Sequence, residues 1–165
     1  MKTVMLTILG CAFAAVVGGL VFIYSGIYDV SATTPDNALV AWVVHEVSDT
    51  SVAARLEKNH PPEGYDKPAT ITAGGKLFSE NCAVCHGAPG LLQTPIAKGL
   101  NPAPPDLFRA SRHPDPAENF QFIKYGVKMT AMPGFGPSYS DDEIWSLVAF
   151  LNKLPGISAN DYAAC

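Results

Sequence analysis

Five residues near the middle of the chain, Cys82-Ala83-Val84-Cys85-His86, constrain its fold more than any other feature. They form a C-x-x-C-H sequence, which is the attachment signature of a c-type haem. Two thiols on adjacent turns of one helix can bond to the two vinyl groups of a porphyrin, and the imidazole that follows then lies under the iron. We therefore expect one covalent haem c held by Cys82 and Cys85, with His86 as an axial ligand.

Three other uses of two cysteines at this spacing fit the rest of the chain less well. A zinc site needs a second pair of ligands, and neither Cys11, in an apolar N-terminal run, nor Cys165, the last residue, can readily supply it. A thiol-disulfide redox pair usually follows a strand, and no parallel-strand pattern is visible. A structural disulfide would explain neither His86 nor the long loops that surround it.

The segment from Ala69 onward is predicted to be a small all-α domain with about three helices. The expected caps are Thr72 for the first helix, Asp115 with Pro116 and Glu118 for the second, and Ser140 with Glu143 for the third, with stops at Gly126 and Pro155-Gly156. Residues 87–114 form a Pro/Gly-rich stretch without periodicity. An ordered loop of that length needs something to pack around, and a haem would provide it.

The second axial position decides whether the iron is open to ligands or passes single electrons. The candidate side chains are His45, His60, His113, Met129 and Met132. The histidines are scattered and are expected at the surface. Met132 is the predicted ligand, because Pro133 restricts it to an extended conformation between the second and third helices. Met129 lies closer to the second helix and is expected to pack.

The N-terminal segment Thr3–Tyr28 contains no charged side chain and would form a helix of roughly 39 Å. Cleavage after Ala14, or lipid attachment at Cys11, would each leave a long apolar run on the mature chain, so a retained single-pass anchor is expected. Lys2 precedes this run and Asp29 follows it, which places the rest of the chain on the exported side. We expect the inner membrane of a bacterium, with the haem domain in the periplasm.

A second helix is predicted after the anchor, over residues 35–58, with Thr34 as its N-cap and Pro35 at its first position. Its apolar stripe consists of Leu39, Val40, Val43, Val44 and Val47. A Pro-rich linker, residues 60–69, follows. This amphipathic helix could lie on the membrane, cover the domain or bind a neighbouring subunit.

From Ala69 to Asp161 the chain resembles a class I cytochrome c. That family has a glycine eight residues before the first haem cysteine and an aromatic residue four before it, which match Gly74 and Phe78. The last helix of the family crosses the first at this glycine through an aliphatic and an aromatic residue three apart, which match Leu147 and Phe150. The resemblance therefore implies a close helix crossing at Gly74.

The resemblance also implies roles around the iron. The axial methionine of the family is commonly followed by proline, as Met132 is here, and a proline carbonyl after the histidine usually accepts a hydrogen bond from the imidazole. Three prolines could supply that carbonyl: Pro102, Pro104 and Pro105. Three residues could lie near the haem propionates or have solvated or core roles: Arg109, Arg112 and Trp145.

The expected function is one-electron transfer by a membrane-anchored periplasmic monohaem cytochrome c, an electron carrier with no catalytic residue, between membrane redox complexes or redox proteins. The alternative is a permanent haem c subunit of a larger membrane oxidoreductase, and a peroxidase or gas sensor would need an open iron position.

The net charge of −4, with no basic cluster, argues against nucleic-acid binding. The predicted division is an anchor (1–28), an amphipathic helix and linker (29–68), a haem domain (69–161) and a tail (162–165).

Overall fold

The computed structural model describes residues 1–56, 60–108 and 115–163. Within them the chain is helical and has no β-strand, apart from one isolated bridge between Ala88 and Leu91. The α-helices in this part of the chain are α1 (Lys2–Ser25), α2 (Ala38–Ala53), α3 (Pro68–Asn81), α4 (Ala83–His86), α5 (Pro95–Lys98), α6 (Pro116–Tyr125), α7 (Asp141–Lys153) and α8 (Ala159–Ala163). The all-α expectation is confirmed. Contacts divide the chain into two compact units, Met1–Thr34 and Pro35–Cys165, and the four-part division of the sequence stays a prediction.

The first unit is dominated by α1, whose 24 residues are all exposed. Among the described residues it is the one helix long and apolar enough to cross a bilayer. It ends at Gly26, whose φ of 66° closes the helix with a left-handed residue. Its length and composition suit either a membrane anchor or a signal sequence.

The helix α2 is shorter than the sequence predicted. Its N-cap is Asn37, whose side-chain oxygen accepts a hydrogen bond from the Leu39 amide, and not Thr34. The Thr34 hydroxyl instead donates to the Asp29 carboxylate at 2.7 Å, which holds Thr34 outside the helix. The start at Pro35 was therefore wrong by three residues, because the Asn37 side chain satisfies the first amides. The predicted end at Lys58 lies outside the described residues.

The core of the second unit forms where α3 crosses α7. A Cβ atom on Gly74 would overlap the Ser146 carbonyl, so only glycine permits this approach. Phe78 and Phe150 are fully buried beside the crossing, with ring centroids 5.3 Å apart, and Leu147 is also buried there. The helix crossing implied by the family resemblance is confirmed.

The cap predictions were right for two of the three domain helices. Asp115 caps α6 through the Ala117 amide, and Ser140 and Glu143 form a reciprocal capping box on α7. The expected cap Thr72 was wrong: α3 begins at Pro68, and Thr72 lies inside the helix, where its hydroxyl donates to the Pro68 carbonyl. A proline at the first helical position lacks an amide that would need a partner, so α3 starts without a side-chain cap.

Candidate functional site

The attachment segment lies where α3 turns into α4. Cys82 is both the C-cap of α3 and the N-cap of α4, and its amide donates to the Phe78 carbonyl at 2.8 Å. The His86 amide in turn donates to the Cys82 carbonyl at 2.9 Å. Both thiols and the imidazole are therefore carried by about one helical turn, as the C-x-x-C-H spacing requires. Burial, with a smaller effect of Cys85, raises the pKa of the Cys82 thiol to about 12.

One hydrogen bond fixes the orientation of the His86 ring. Its Nδ1 lies 2.9 Å from the Pro105 carbonyl oxygen. A carbonyl can only accept, so Nδ1 carries the proton and Nε2 keeps a free lone pair that can bind a metal. Of the three prolines that the sequence left open, the structure selects Pro105. Such a partner also fixes the orientation of the ring for a bound metal.

Met132 is held in the loop between α6 and α7. Its amide donates to the Thr130 hydroxyl at 3.0 Å, and its carbonyl accepts from the Val127 amide at 3.1 Å. The side chain is half-buried and packs against the core. Gly126 allows the backbone to turn from α6 into this loop, because only glycine readily adopts its φ of 68° and ψ of −174°.

The predicted site residues share one cleft. Its lining consists of Asn81, Cys82, Cys85, His86, Leu100, Ala131, Met132, Pro133 and Phe135. The motif and Met132, separated by 46 residues of sequence, therefore face the same space. Two thiols, an imidazole with a free Nε2 and a thioether in mostly apolar surroundings are the donor set that suits a covalent haem.

The other candidate axial ligands lie elsewhere. Met129 is 85% exposed and has a φ of 62°, so the expectation that it packs in the core was wrong. His45 is exposed on α2 and lies 3.5 Å from the Asp49 carboxylate, and His60 is exposed in the linker. His113 lies outside the described residues.

Of the three residues that could lie near the haem propionates, only Trp145 is among the residues that the structure describes. Trp145 is buried, stacked on Phe120 with ring centroids 4.3 Å apart and in edge contact with Tyr65 at 5.7 Å. These contacts make Trp145 part of the core, which was one of its two expected roles. Arg109 and Arg112 lie outside the described residues.

Sequence reasoning missed several lining residues of the cleft. Asn81 is the most informative, because its side chain is held at both ends: Nδ2 donates to the Leu77 carbonyl at 2.9 Å, and Oδ1 accepts from the Tyr139 hydroxyl at 3.2 Å. Its position directly before Cys82 was a signal that could have found it. Leu100 comes from the loop without periodicity, where no sequence pattern marks a contact.

Comparison with known proteins shows the family to which the chain belongs. The family model described as cytochrome c oxidase, cbb3-type, subunit III matches residues 69–151. The chain belongs to this family of c-type cytochrome domains. The domain is an electron carrier of the class I c type, and it carries covalently bound haem c, with Cys82, Cys85 and His86 as its C-x-x-C-H motif.

Two individual proteins are also similar to this cytochrome. A quinohemoprotein alcohol dehydrogenase of Comamonas testosteroni is 35% identical over 88 residues, which cover 53% of this chain and 11% of the dehydrogenase. The cytochrome thus matches about a tenth of the length of that relative. A reducing HAO-like protein complex of Kuenenia stuttgartiensis aligns with a TM-score of 0.47 and 28% identity, over 58% of this chain and 46% of the solved one.

Proposed function

We propose that this cytochrome is a membrane-anchored, periplasmic monohaem protein that transfers one electron at a time, with His86 and Met132 as the axial ligands. The observation that carries the proposal is the shared cleft, in which Met132 lies with Cys82, Cys85 and His86 while Met129 does not. A haem bound there supplies a reversible one-electron couple, and His/Met ligation raises its potential.

The residues of the chain contribute orientation and a dry environment. The Pro105 carbonyl keeps the proton on His86 Nδ1 and so leaves Nε2 available to bind iron. The hydrogen bonds of the Met132 backbone to Val127 and Thr130 restrain the segment that carries the thioether. Ligands restrained in this way would move little when the charge of a bound iron changes, which favours rapid electron transfer, and the apolar lining would limit access of water.

The location of the proposed carrier depends on α1. Its 24 residues suit a retained anchor that keeps the haem domain at the periplasmic surface of the inner membrane. Anchoring raises the effective concentration of the carrier near other membrane redox proteins, which are its proposed donor and acceptor. Recovery of the full-length protein in the membrane fraction, with its N-terminal sequence intact by mass spectrometry, would test this.

The ligand assignment is tested by absorption spectra of the oxidised holoprotein. We expect Met132→Ala to remove the far-red sulfur-to-iron charge-transfer band and to lower the reduction potential. Met129→Ala is a matched control on the same loop, and it should leave both unchanged because that side chain is outside the cleft. A band that survives Met132→Ala but is lost in Met129→Ala would overturn the assignment, and an oxidised spectrum of the wild type without the band would favour a peroxidase or gas sensor.

A second candidate function is a permanent subunit of a larger oxidoreductase. The comparisons favour it, because the matching family is described as an oxidase subunit and the dehydrogenase relative is a much longer chain. Purification of the cytochrome from its own membranes in mild detergent separates the two candidates. A redox enzyme that co-purifies at fixed stoichiometry supports the subunit, and a lone monomer supports the carrier.

A further inference from the structure

A groove of about 740 Å³ lies between α2 and the segment formed by the end of α6 and residues 126–130. This volume falls within the range of about 300–1,000 Å³ that is typical of small-molecule sites. Both walls carry apolar side chains: Val43, Val44 and Val47 on α2, and Phe122, Tyr125 and Met129 on the other side. Several of them are well exposed, including Val47 at 64%, Tyr125 at 61% and Met129 at 85%. Exposed apolar surface on both sides of one groove indicates an apolar occupant.

The charged side chains of the groove indicate which kind of apolar molecule could bind there. Its charged lining residues are Arg55 and Lys128, and both are positive. Arg55 uses Nη1 to donate to the carbonyl and the hydroxyl of Ser51, at 2.6 and 2.8 Å. These bonds hold its guanidinium in place. Within the described residues no hydrogen bond uses Nε or Nη2, so their N–H groups can donate to a ligand. Among the described residues the lining has two cations and no carboxylate, and such an apolar groove suits a molecule that has an apolar chain and an anionic head.

The connection between α1 and α2 limits how far this groove can lie from the proposed membrane anchor. Twelve residues separate the end of α1 from the start of α2, and they can span at most roughly 40 Å when fully extended. If α1 is the proposed anchor, on which this inference rests, α2 cannot move farther than that from the end of the membrane helix. We propose that the groove binds an acyl chain of an anionic phospholipid from the surrounding bilayer, with Arg55 and Lys128 contacting its phosphate.

The bound lipid would also support the axial methionine. Residues 126–130 form one wall of the groove, and the same segment supplies both hydrogen-bond partners of Met132, the Val127 amide and the Thr130 hydroxyl. An acyl chain packed against Met129 and Val127 would restrain this wall. We therefore expect the far-red band of the oxidised protein to persist to higher temperature in bilayers that contain the anionic lipid than in purely zwitterionic ones.

The proposal is tested by photo-cross-linking of the full-length holoprotein in lipid nanodiscs. The discs contain phosphatidylcholine with a small fraction of a diazirine-bearing lipid, either phosphatidylglycerol or phosphatidylcholine, and cross-linked peptides are mapped by mass spectrometry. We expect adducts on residues 43–55 and 122–130, with phosphatidylglycerol favoured by roughly 10- to 30-fold, since two cations each favour an anionic headgroup severalfold. Arg55→Gln combined with Lys128→Gln should abolish that preference.

A matched pair of variants separates the groove from general contact of α2 with the membrane. Val47 and Leu39 are both on α2 and are 64% and 66% exposed, but only Val47 lines the groove. Val47→Asp should remove the adducts, whereas Leu39→Asp should leave them. Equal loss in both variants, equal labelling by the two lipids, or adducts confined to α1 would each overturn the proposal.

Two further readouts distinguish a failure of the lipid-site proposal from a failure of the proposed function. Elution of the cytochrome with the discs reports on the anchor, and the far-red band reports on Met132 ligation. Protein that does not elute with the discs would overturn both the anchor and the lipid source. Protein that elutes with the discs and keeps the band, but shows no adduct in the groove, would overturn the lipid site alone.

Discussion

Gly126 ends α6 and begins the loop that carries Met132, so its replacement by alanine should displace the proposed sulfur ligand. The residue has a φ of 68° and a ψ of −174°, a conformation that is essentially restricted to glycine. A Cβ atom added there would lie 2.5 Å from the Gly134 amide nitrogen, 2.6 Å from the Pro133 carbonyl carbon and 2.8 Å from the Met132 carbonyl oxygen. All three are backbone atoms, so no side chain can rotate to make room.

The expected destabilisation by Gly126→Ala follows from these contacts. A non-glycine residue in this backbone region costs about 1–3 kcal/mol. Overpacking against the fixed backbone of residues 132–134 adds about 1–3 kcal/mol if the loop stays in place. Since a domain of this size is stable by only about 5–15 kcal/mol, the least costly response is to move the loop and withdraw Met132 from the cleft.

The assay combines chemical unfolding with the spectrum of the oxidised holoprotein. We expect Gly126→Ala to lower the free energy of unfolding by about 3 kcal/mol and to weaken or abolish the far-red band, with a lower reduction potential. Gly64→Ala is the matched control, because Gly64 also has a positive φ of 70°, but the three atoms nearest to its added Cβ all belong to the flexible Lys67 side chain. Gly64→Ala should therefore destabilise the protein while the band is kept. A Gly126→Ala protein with an unchanged band and unchanged stability would refute the reasoning.

Three further predictions follow from the described contacts. Gly74→Ala should lower the free energy of unfolding by about 2 kcal/mol, because its Cβ would overlap the Ser146 carbonyl and this outweighs a gain of about 1 kcal/mol in helix propensity. The control Gly156→Ala, whose Cβ would meet nothing within 4 Å, should be nearly neutral in the same denaturant titration. Met129→Gly should raise the unfolding free energy by about 1 kcal/mol, because it relieves a positive φ at an exposed side chain; a loss of stability would contradict this. The Asp141 carboxylate raises the pKa of Lys124, so their ion pair should stabilise the protein below the unfolded lysine pKa and lose its effect as the pH rises through the folded one. Lys124→Met should cost less than about 1 kcal/mol at neutral pH and remove that alkaline dependence from stability measured against pH; the prediction fails if the dependence stays.

The sequence by itself determined the features that depend on residues close together in the chain. The C-x-x-C-H motif identified the haem and its attachment, because the chemistry needs adjacent side chains on one helical turn. The caps Asp115 and Ser140 fixed the starts of α6 and α7, since a cap bonds to amides only two or three residues away. The helix α1 could also be predicted from the sequence, because a long apolar run is a matter of composition alone.

The tertiary structure decided whatever depends on distant segments meeting. Pro105 could not be separated from Pro102 and Pro104 by sequence, because the contact with His86 is set by how a loop without periodicity folds back over the motif. The exposure of Met129 and the half-burial of Met132 likewise depend on the turn at Gly126 and not on the pattern of either methionine. The apolar stripe of α2 could be read from spacing, but its position beside residues 126–130, and hence the groove, required the packing of segments more than 70 residues apart in the chain.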